Sequence, residues 1–290
     1  MSQRPSDQPE PVEPSEIRFG TTLSEQGRAT LRPTVRADGP THGRLGRLCD
    51  ALSLALELPC VPHSVPSYTD LLAGLHWGDI QLAWLPPMIA LRAITRGSAL
   101  PIAAPVRAGS AWYWTALFTR ADSGIKDLSE LRKARVAWVD HMSSAGYLVI
   151  RASLRAARVE LIDAFGEEQF LGTHDEVVRA VIEKRADVGA TFAHFDDAGR
   201  IRTAGWGRSP VHVLKFAGPI PSDVLAASAH LPKRLLKEIG DALTAEGHAE
   251  VQRAAADLTN STGFVSVNRE HLSHLEELLA YVEVPPSRPG

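Results

Sequence analysis

The sequence predicts an α/β protein of two lobes, each built on a mainly parallel sheet, and three observations lead there. Short apolar and β-branched runs alternate with amphipathic helical stretches between Ile17 and Phe192, which is the pattern of β-α-β units. The alternation falls into two blocks, parted by the aromatic and β-branched segment Trp112 to Thr119. At 290 residues the chain is too long for one minimal core, and 44% hydrophobic with 22% charged residues is the balance of a packed globule. The expected organisation is a disordered polar tail at 1–15, a discontinuous first lobe at 16–107 and 211–290, and a second lobe at 108–210.

In the first block, Ile17-Arg18-Phe19-Gly20 alternates and stops at a glycine, as a short strand does. Leu45, Leu48, Leu52 and Leu56 recur at helical spacing between Thr41 and Pro59. A strand at Val61 to Val65, a helix from Thr69 to Trp77 and a strand at Ile80 to Leu85 complete a β-α-β unit. Pro86-Pro87 ends that strand and opens a helix through Leu91, before a further strand at Leu100 to Val106.

The second block begins with a short helix at Asp127 to Lys133 and a buried strand at Arg135 to Val139. Tyr147, Ile150, Leu154 and Ala157 then mark a helix face, and Val177, Val178, Val181 and Ile182 another. The strand Asp187 to Phe192 follows. Val211 to Phe216 reads as a return strand into the first lobe. Two late amphipathic stretches, Leu235 with Ile239 and Ala242, and Leu272 with Leu275, Leu279 and Val282, are expected to cover that lobe.

Composition also excludes several roles. The formal charge is -3 and no Lys/Arg run is long enough to track a phosphate backbone, so nucleic acid is not a partner. No apolar run approaches the roughly 18–20 residues that span a bilayer, so no stable membrane insertion is expected. Cys49 and Cys60 show no C-x-x-C spacing and no histidine cluster, which predicts no metal site and two buried free thiols, with a single bridge between them as the alternative. No cofactor motif is present. The polar start, with Pro5, Pro9, Pro11 and Pro14, lacks the charged-then-apolar order of a secretory signal, so the expected location is cytoplasmic, or periplasmic if a signal was removed.

In open α/β sheets ligands bind beyond the carboxyl ends of strands, where loops lead into helices. The loop Asp140 to Tyr147 places Ser143 and Ser144 before a helix, where exposed N–H groups and the dipole favour an anion and the hydroxyls add donors. The plainer reading is that one of them is an N-cap. Thr173-His174 opens a second helix start with further donors, and His174 donates from either ring nitrogen. Tyr68 opens a helix in the first lobe, where its phenol can close over a ligand. Of Trp112, Tyr113 and Trp114, two are expected to pack in the hinge and sheet. Asp187, at a strand start, is expected to cap a turn.

Four segments in register carry a family likeness: Val136 to Gly146, Phe170 to Asp175, Ala186 to Ala190, and Ile220-Pro221-Ser222-Asp223. Together with Tyr68 to Trp84 they resemble the phosphonate- and phosphite-binding components of ABC importers, over roughly Ile17 to Leu243. The resemblance implies a type II periplasmic-binding-protein fold, in which two Rossmann-like lobes joined by two crossover strands clamp a ligand. It implies that Ser143, Ser144 and His174 grip the anion, and that Asp223 stands where some members contact the amine of aminoalkyl phosphonates. Two departures stand out. Ala145 occupies the family's third hydroxyl position, a loss on the order of 1.5–3 kcal/mol for one charged hydrogen bond, and Ala90 aligns with a cleft aromatic.

The expected function is therefore capture of a small oxyanion, such as a phosphonate, phosphite or phosphate ester, by a monomeric binding protein rather than an enzyme. Its partner would be a permease or, in the cytoplasm, a regulatory protein reading it as a sensor. Two alternatives differ in class. A cytoplasmic enzyme on the same fold, of lyase or cofactor-biosynthetic type, would use His174 and Asp140 as acid and base, although no P-loop, Gly-x-Ser-x-Gly or paired carboxylates support it. A scaffold that has lost its ligand would have Ala145 and Ala90 as its first signs.

Overall fold

A computed structural model of the chain describes residues 13–22 and 40–280. Residues 1–12 of the expected tail, and Val282 of the last expected helix, lie outside the described residues. The first block forms β1 (Ile17–Thr22), α1 (Pro40–Leu56), β2 (Cys60–Val65), α2 (Tyr68–Trp77), β3 (Leu82–Leu85), α3 (Pro87–Thr95) and β4 (Ala99–Val106). The chain then forms β5 (Trp112–Arg120), β6 (Ala134–Trp138), a π-helical turn at Ser144–Leu148 running into α4 (Val149–Ala156), and α5 (Leu161–Ala164). After these come β7 (Phe165–Phe170), α6 (His174–Ile182), β8 (Val188–Phe195) and β9 (Ile201–Ala204). Last are β10 (Val211–Pro221), β11 (Val224–Ser228), α7 (Lys233–Thr244), α8 (Ala249–Thr259), β12 (Gly263–Ser266) and α9 (Ser273–Ala280).

Two six-stranded sheets result. The first runs β12-β4-β11-β3-β1-β2, and the second runs β10-β5-β8-β6-β7 with β9 beside β8. Strand β1 pairs in parallel with β2 and β3, and β6 with β7 and β8. The expectation of mainly parallel sheets needs correction, because β11 is antiparallel to β3 and β4, and β5 is antiparallel to β8 and β10. Connectivity explains this: strands of β-α-β units point their carboxyl ends at the cleft, whereas β5 and β11 enter their sheets from it.

Three further expectations change. Val211 to Phe216 does not return to the first sheet but extends to Pro221 and pairs with β5 in the second, Val211 opposite Arg120 and Pro221 opposite Trp112. Asp127 to Lys133 forms only a 3-10 turn at Leu128–Glu130: Asp127 and Glu130 close a capping box that starts it, but Leu131 is extended and Lys133 takes a φ of +52°, which ends it. The C-terminal helix does not cover the first lobe alone. Leu272 joins an apolar cluster with Leu71, Leu85 and Ile89, while Leu275 joins Val149, Ile150 and Ile220 in the other lobe.

Both faces of each sheet are covered. Leu45, Leu48, Leu52 and Leu56 of α1 pack with Leu235 and Ile239 of α7 and Val251 and Leu258 of α8 on one face of the first sheet. Helices α2 and α3 cover its other face. In the second sheet, α4 packs on one face around Trp138 and α6 on the other around Phe118. Cys49 and Cys60 are both free and buried in the first core. Among the described residues no helix is long and apolar enough to cross a membrane.

Candidate functional site

A cavity of about 60 Å³ lies where the carboxyl ends of both sheets meet. At roughly 10–15 Å³ of such space per water it holds about four to six waters, or a ligand of a few non-hydrogen atoms. Its walls are Tyr68, Pro86, Pro87 and Ile89 from the first lobe, Tyr113 and Asp223 beside the crossovers, and Asp140, Met142, Ser143, Ser144, Ala145 and His174 from the second. A roomier groove of about 360 Å³, lined by Arg18, Trp77, Asp79 and His230, sits at the amino ends of β1 and β3. None of the sequence-predicted site residues lines that groove, whereas Tyr68, Ser143, Ser144, Ala145, His174 and Asp223 all line the smaller cavity.

Each wall has a local cause. Ser67 caps α2, its Oγ accepting from the Asp70 N–H at 3.2 Å, which fixes Tyr68 as the first helical residue. Past β6, Asp140 Oδ1 accepts from the Met142 N–H at 2.7 Å and Ser143 Oγ from the Gly146 N–H at 3.0 Å. Thr115 of β5 donates to the Ala145 carbonyl at 2.5 Å and pins this turn from below. Gly146 allows the close approach, since a Cβ there would lie 2.2 Å from Val139 Cγ2.

The second helix start is built on Gly172, at φ +83°, followed by Thr173, whose Oγ1 accepts from the Glu176 N–H at 3.2 Å. His174 then opens α6. Its Nδ1 lies 2.9 Å from Thr191 Oγ1 on β8, which leaves Nε2 as the ring nitrogen able to meet a ligand. Burial holds the imidazole at a pKa of about 4, so the ring is neutral at pH 7.

The structure thus separates residues that look alike in sequence. Ser143 and Thr173 are both N-caps, as the plainer reading has it; Ser143 also lines the cavity, and Thr173 does not. Ser144 is different. It is 5% exposed, and its Oγ has no hydrogen-bond partner among the described residues. Ala145 lines the cavity in the third position, and Ala90 does not reach it, being fully buried against the other face of the first sheet. Of the three crossover aromatics, Trp112 packs on His271 and Trp114 on Phe195, while Tyr113 supplies the cleft with a phenol. Burial and the Asp223 carboxylate push that phenol well above its ordinary pKa, so it is a donor. Asp187 does not touch the cavity; it pairs with Arg135, Oδ1 2.7 Å from Nη2.

Sequence reasoning missed Arg107. It follows β4 at the first crossover, and its Nη2 lies 3.4 Å from Asp223 Oδ2 at the second. A lone arginine ending the apolar run Leu100 to Val106 is the one local signal, because its partner is 116 residues away. Burial raises the Asp223 carboxyl's proton affinity and Arg107 opposes the rise. Among the described residues no cluster of three or more His, Cys, Asp or Glu is arranged to hold a metal.

Comparison with known proteins agrees with this fold. The family model described as "ABC transporter, phosphonate, periplasmic substrate-binding protein" matches residues 40–272. The phosphonates-binding periplasmic protein of Escherichia coli K12 is 22% identical over 225 residues, which cover 76% of this chain and 66% of that protein, just under two thirds of its length. Among solved structures, XAC2383 from Xanthomonas citri bound to chloride superposes with a TM-score of 0.72 at 21% identity, covering 93% of this chain and 98% of that one. PhnD1 from Prochlorococcus marinus in complex with methylphosphonate gives 0.68 at 16% identity, covering 93% and 99%. The shared fold is the type II periplasmic-binding-protein fold.

Proposed function

We propose, on the premise that this chain belongs to the family of periplasmic substrate-binding proteins of phosphonate ABC transporters, that it captures a small phosphonate-type oxyanion between its lobes and presents it to a membrane permease. The observation that carries this reading is the Ser144 hydroxyl: buried, with no hydrogen bond of normal length among the described residues, and in the wall of the same cavity as Ser143, Tyr113 and His174. A buried hydroxyl left unsatisfied costs free energy until something accepts from it. An oxyanion is such an acceptor.

The first turn at Ser144 leaves its leading N–H groups without intrahelical acceptors, and the α6 start does the same beside His174. In the tautomer where Nδ1 accepts from Thr191, the neutral His174 offers Nε2–H, a donor that needs no proton uptake at pH 7. Tyr68 and Tyr113 bring phenols from the first lobe and the crossover. Closure excludes water, which strengthens every one of these contacts.

Family membership favours delivery to a permease over a cytoplasmic sensor, and the family's periplasmic description favours the periplasmic branch of the expected location over the cytoplasmic one. It also favours binding over an enzyme. The polar cavity wall argues against a scaffold that has lost its ligand. Titration calorimetry against methylphosphonate, phosphite, phosphate and methanesulfonate tests the reading. Micromolar or tighter binding of at least one phosphorus oxyanion, lost in the Ser144→Ala/His174→Ala double variant, is expected; no heat across the panel removes it.

A further inference from the structure

Asp223 places a carboxylate in the wall of a cavity read as an anion site, and the two are at odds unless a cation stands beside them. In a cleft of this size the cation has two sources, the ligand or the protein. This chain supplies its own. Arg107 Nη2 is 3.4 Å from Asp223 Oδ2, and the guanidinium is held from its other side by the Thr259 carbonyl, which accepts from Nε at 3.1 Å and Nη2 at 2.9 Å. Both side chains are largely buried, 19% and 9% exposed. Strand β4 is itself tied to this corner, since the Thr262 N–H donates to the Val106 carbonyl at 2.9 Å. Arg107 is therefore fixed in place and already matched to the carboxylate.

We infer that Arg107 determines specificity: by neutralising Asp223 from within, it removes the counter-charge that a ligand ammonium would meet, and the site selects oxyanions whose only charge is the anion. This rests on the oxyanion reading above. The cavity's other carboxylate, Asp140, is partly committed to its own loop, its Oδ1 accepting from the Met142 N–H at 2.7 Å, and burial disfavours its charged form. The remaining wall opposite the hydroxyls, Pro86, Pro87 and Ile89, is apolar and suits an alkyl group.

The test compares two ligands of equal size, propylphosphonate and 2-aminoethylphosphonate, which differ in a methyl against an ammonium. Calorimetry on the unaltered protein should find propylphosphonate at least tenfold tighter. Arg107→Met should reverse the order, and Arg107→Lys, which restores the charge, should return it. Asp223→Asn reads the same balance without touching the arginine and should weaken 2-aminoethylphosphonate further, so the inference stays testable if Arg107→Met fails to melt cooperatively. Equal or tighter binding of 2-aminoethylphosphonate by the unaltered protein overturns this inference alone, as does an unchanged preference in folded Arg107→Met. Binding of neither, with methylphosphonate and phosphite also silent, removes the oxyanion reading and this inference with it.

Discussion

Replacing Ser144 with alanine separates a ligand-binding hydroxyl from a structural one, because the two roles predict opposite signs. In the free protein the Oγ is buried with no hydrogen bond of normal length and only a weak interaction with the Tyr113 phenol, so its loss deletes little and relieves a poorly satisfied donor. Leaving such a group unsatisfied costs ~1–3 kcal/mol, so Ser144→Ala should hold stability level or raise it by up to about 1 kcal/mol. At this chain length 1 kcal/mol moves the melting temperature by roughly 2 °C. In the complex the same hydroxyl donates to an anion, a contact worth about 1.5–3 kcal/mol, so affinity for a phosphorus oxyanion should fall about tenfold to a hundredfold. Calorimetry with methylphosphonate and thermal melts without ligand read the two effects independently. A variant that loses 1 kcal/mol or more of stability while binding normally would refute the reasoning.

Ser143→Ala should do the reverse in the free protein, since its Oγ caps the Gly146 N–H at 3.0 Å; a loss of about 1 kcal/mol in urea unfolding is expected, and an unmoved midpoint would show the cap to be idle. Gly146→Ala drives a Cβ to 2.2 Å from Val139 Cγ2, so a cost on the order of 1–3 kcal/mol should appear and be partly recovered when Val139→Ala is added; strict additivity of the two would count against the clash. Protonation gives a third measurement. Burial holds His174 at a pKa of about 4 against 6.5 in the unfolded chain, so between those values the unfolded state binds the extra proton and stability falls as pH drops. His194 and His271 are held at about 4 in the same way and share the slope. Urea midpoints from pH 7 to pH 4 should decline less steeply in His174→Gln than in the parent, and identical slopes would place the His174 proton elsewhere.

The fold was largely legible because β-α-β units are local: the Leu45, Leu48, Leu52, Leu56 stripe and the Leu82 to Leu85 strand are written within single elements. What was not legible depends on pairing at a distance. Val211 to Phe216 is apolar enough for either sheet, and only its register against β5 decides. Helix α8 escaped notice because alanines thin the stripe formed by Val251, Ala255 and Leu258. In the candidate site, the helix starts and their donors could be read from small hydroxylated residues after buried strands. Which of two adjacent serines caps and which is left unpaired could not, since burial alone separates Ser143 from Ser144. Arg107 was invisible for a related reason: its carboxylate lies on the other crossover.

The distribution of unsatisfied polar atoms carries the functional argument furthest. Six buried side-chain polar atoms lack partners among the described residues, and four of them, Trp84 Nε1, Ser144 Oγ, His194 Nδ1 and Ser222 Oγ, belong to residues around the crossovers. Two of these have a polar group just beyond normal hydrogen-bond reach, Trp84 Nε1 toward the Asp223 carboxylate and Ser144 Oγ toward the Tyr113 phenol, and the His194 ring lies 5.8 Å from the Tyr113 ring and within the field of Arg107. Of the other two, His271 Nε2 belongs to a ring packed on Trp112, and Ser64 Oγ on β2 is the one that lies away from this floor. A protein that only needed to hold its shape would lose little by carrying apolar groups at such positions, because removing both halves of a polar pair is nearly neutral whereas keeping one half is costly. Local rules fail where function requires it. Here they fail beside a small cavity that already holds a neutral histidine donor, two serine hydroxyls and a carboxylate matched by its own arginine, which is the arrangement an anion without a counter-charge would complete.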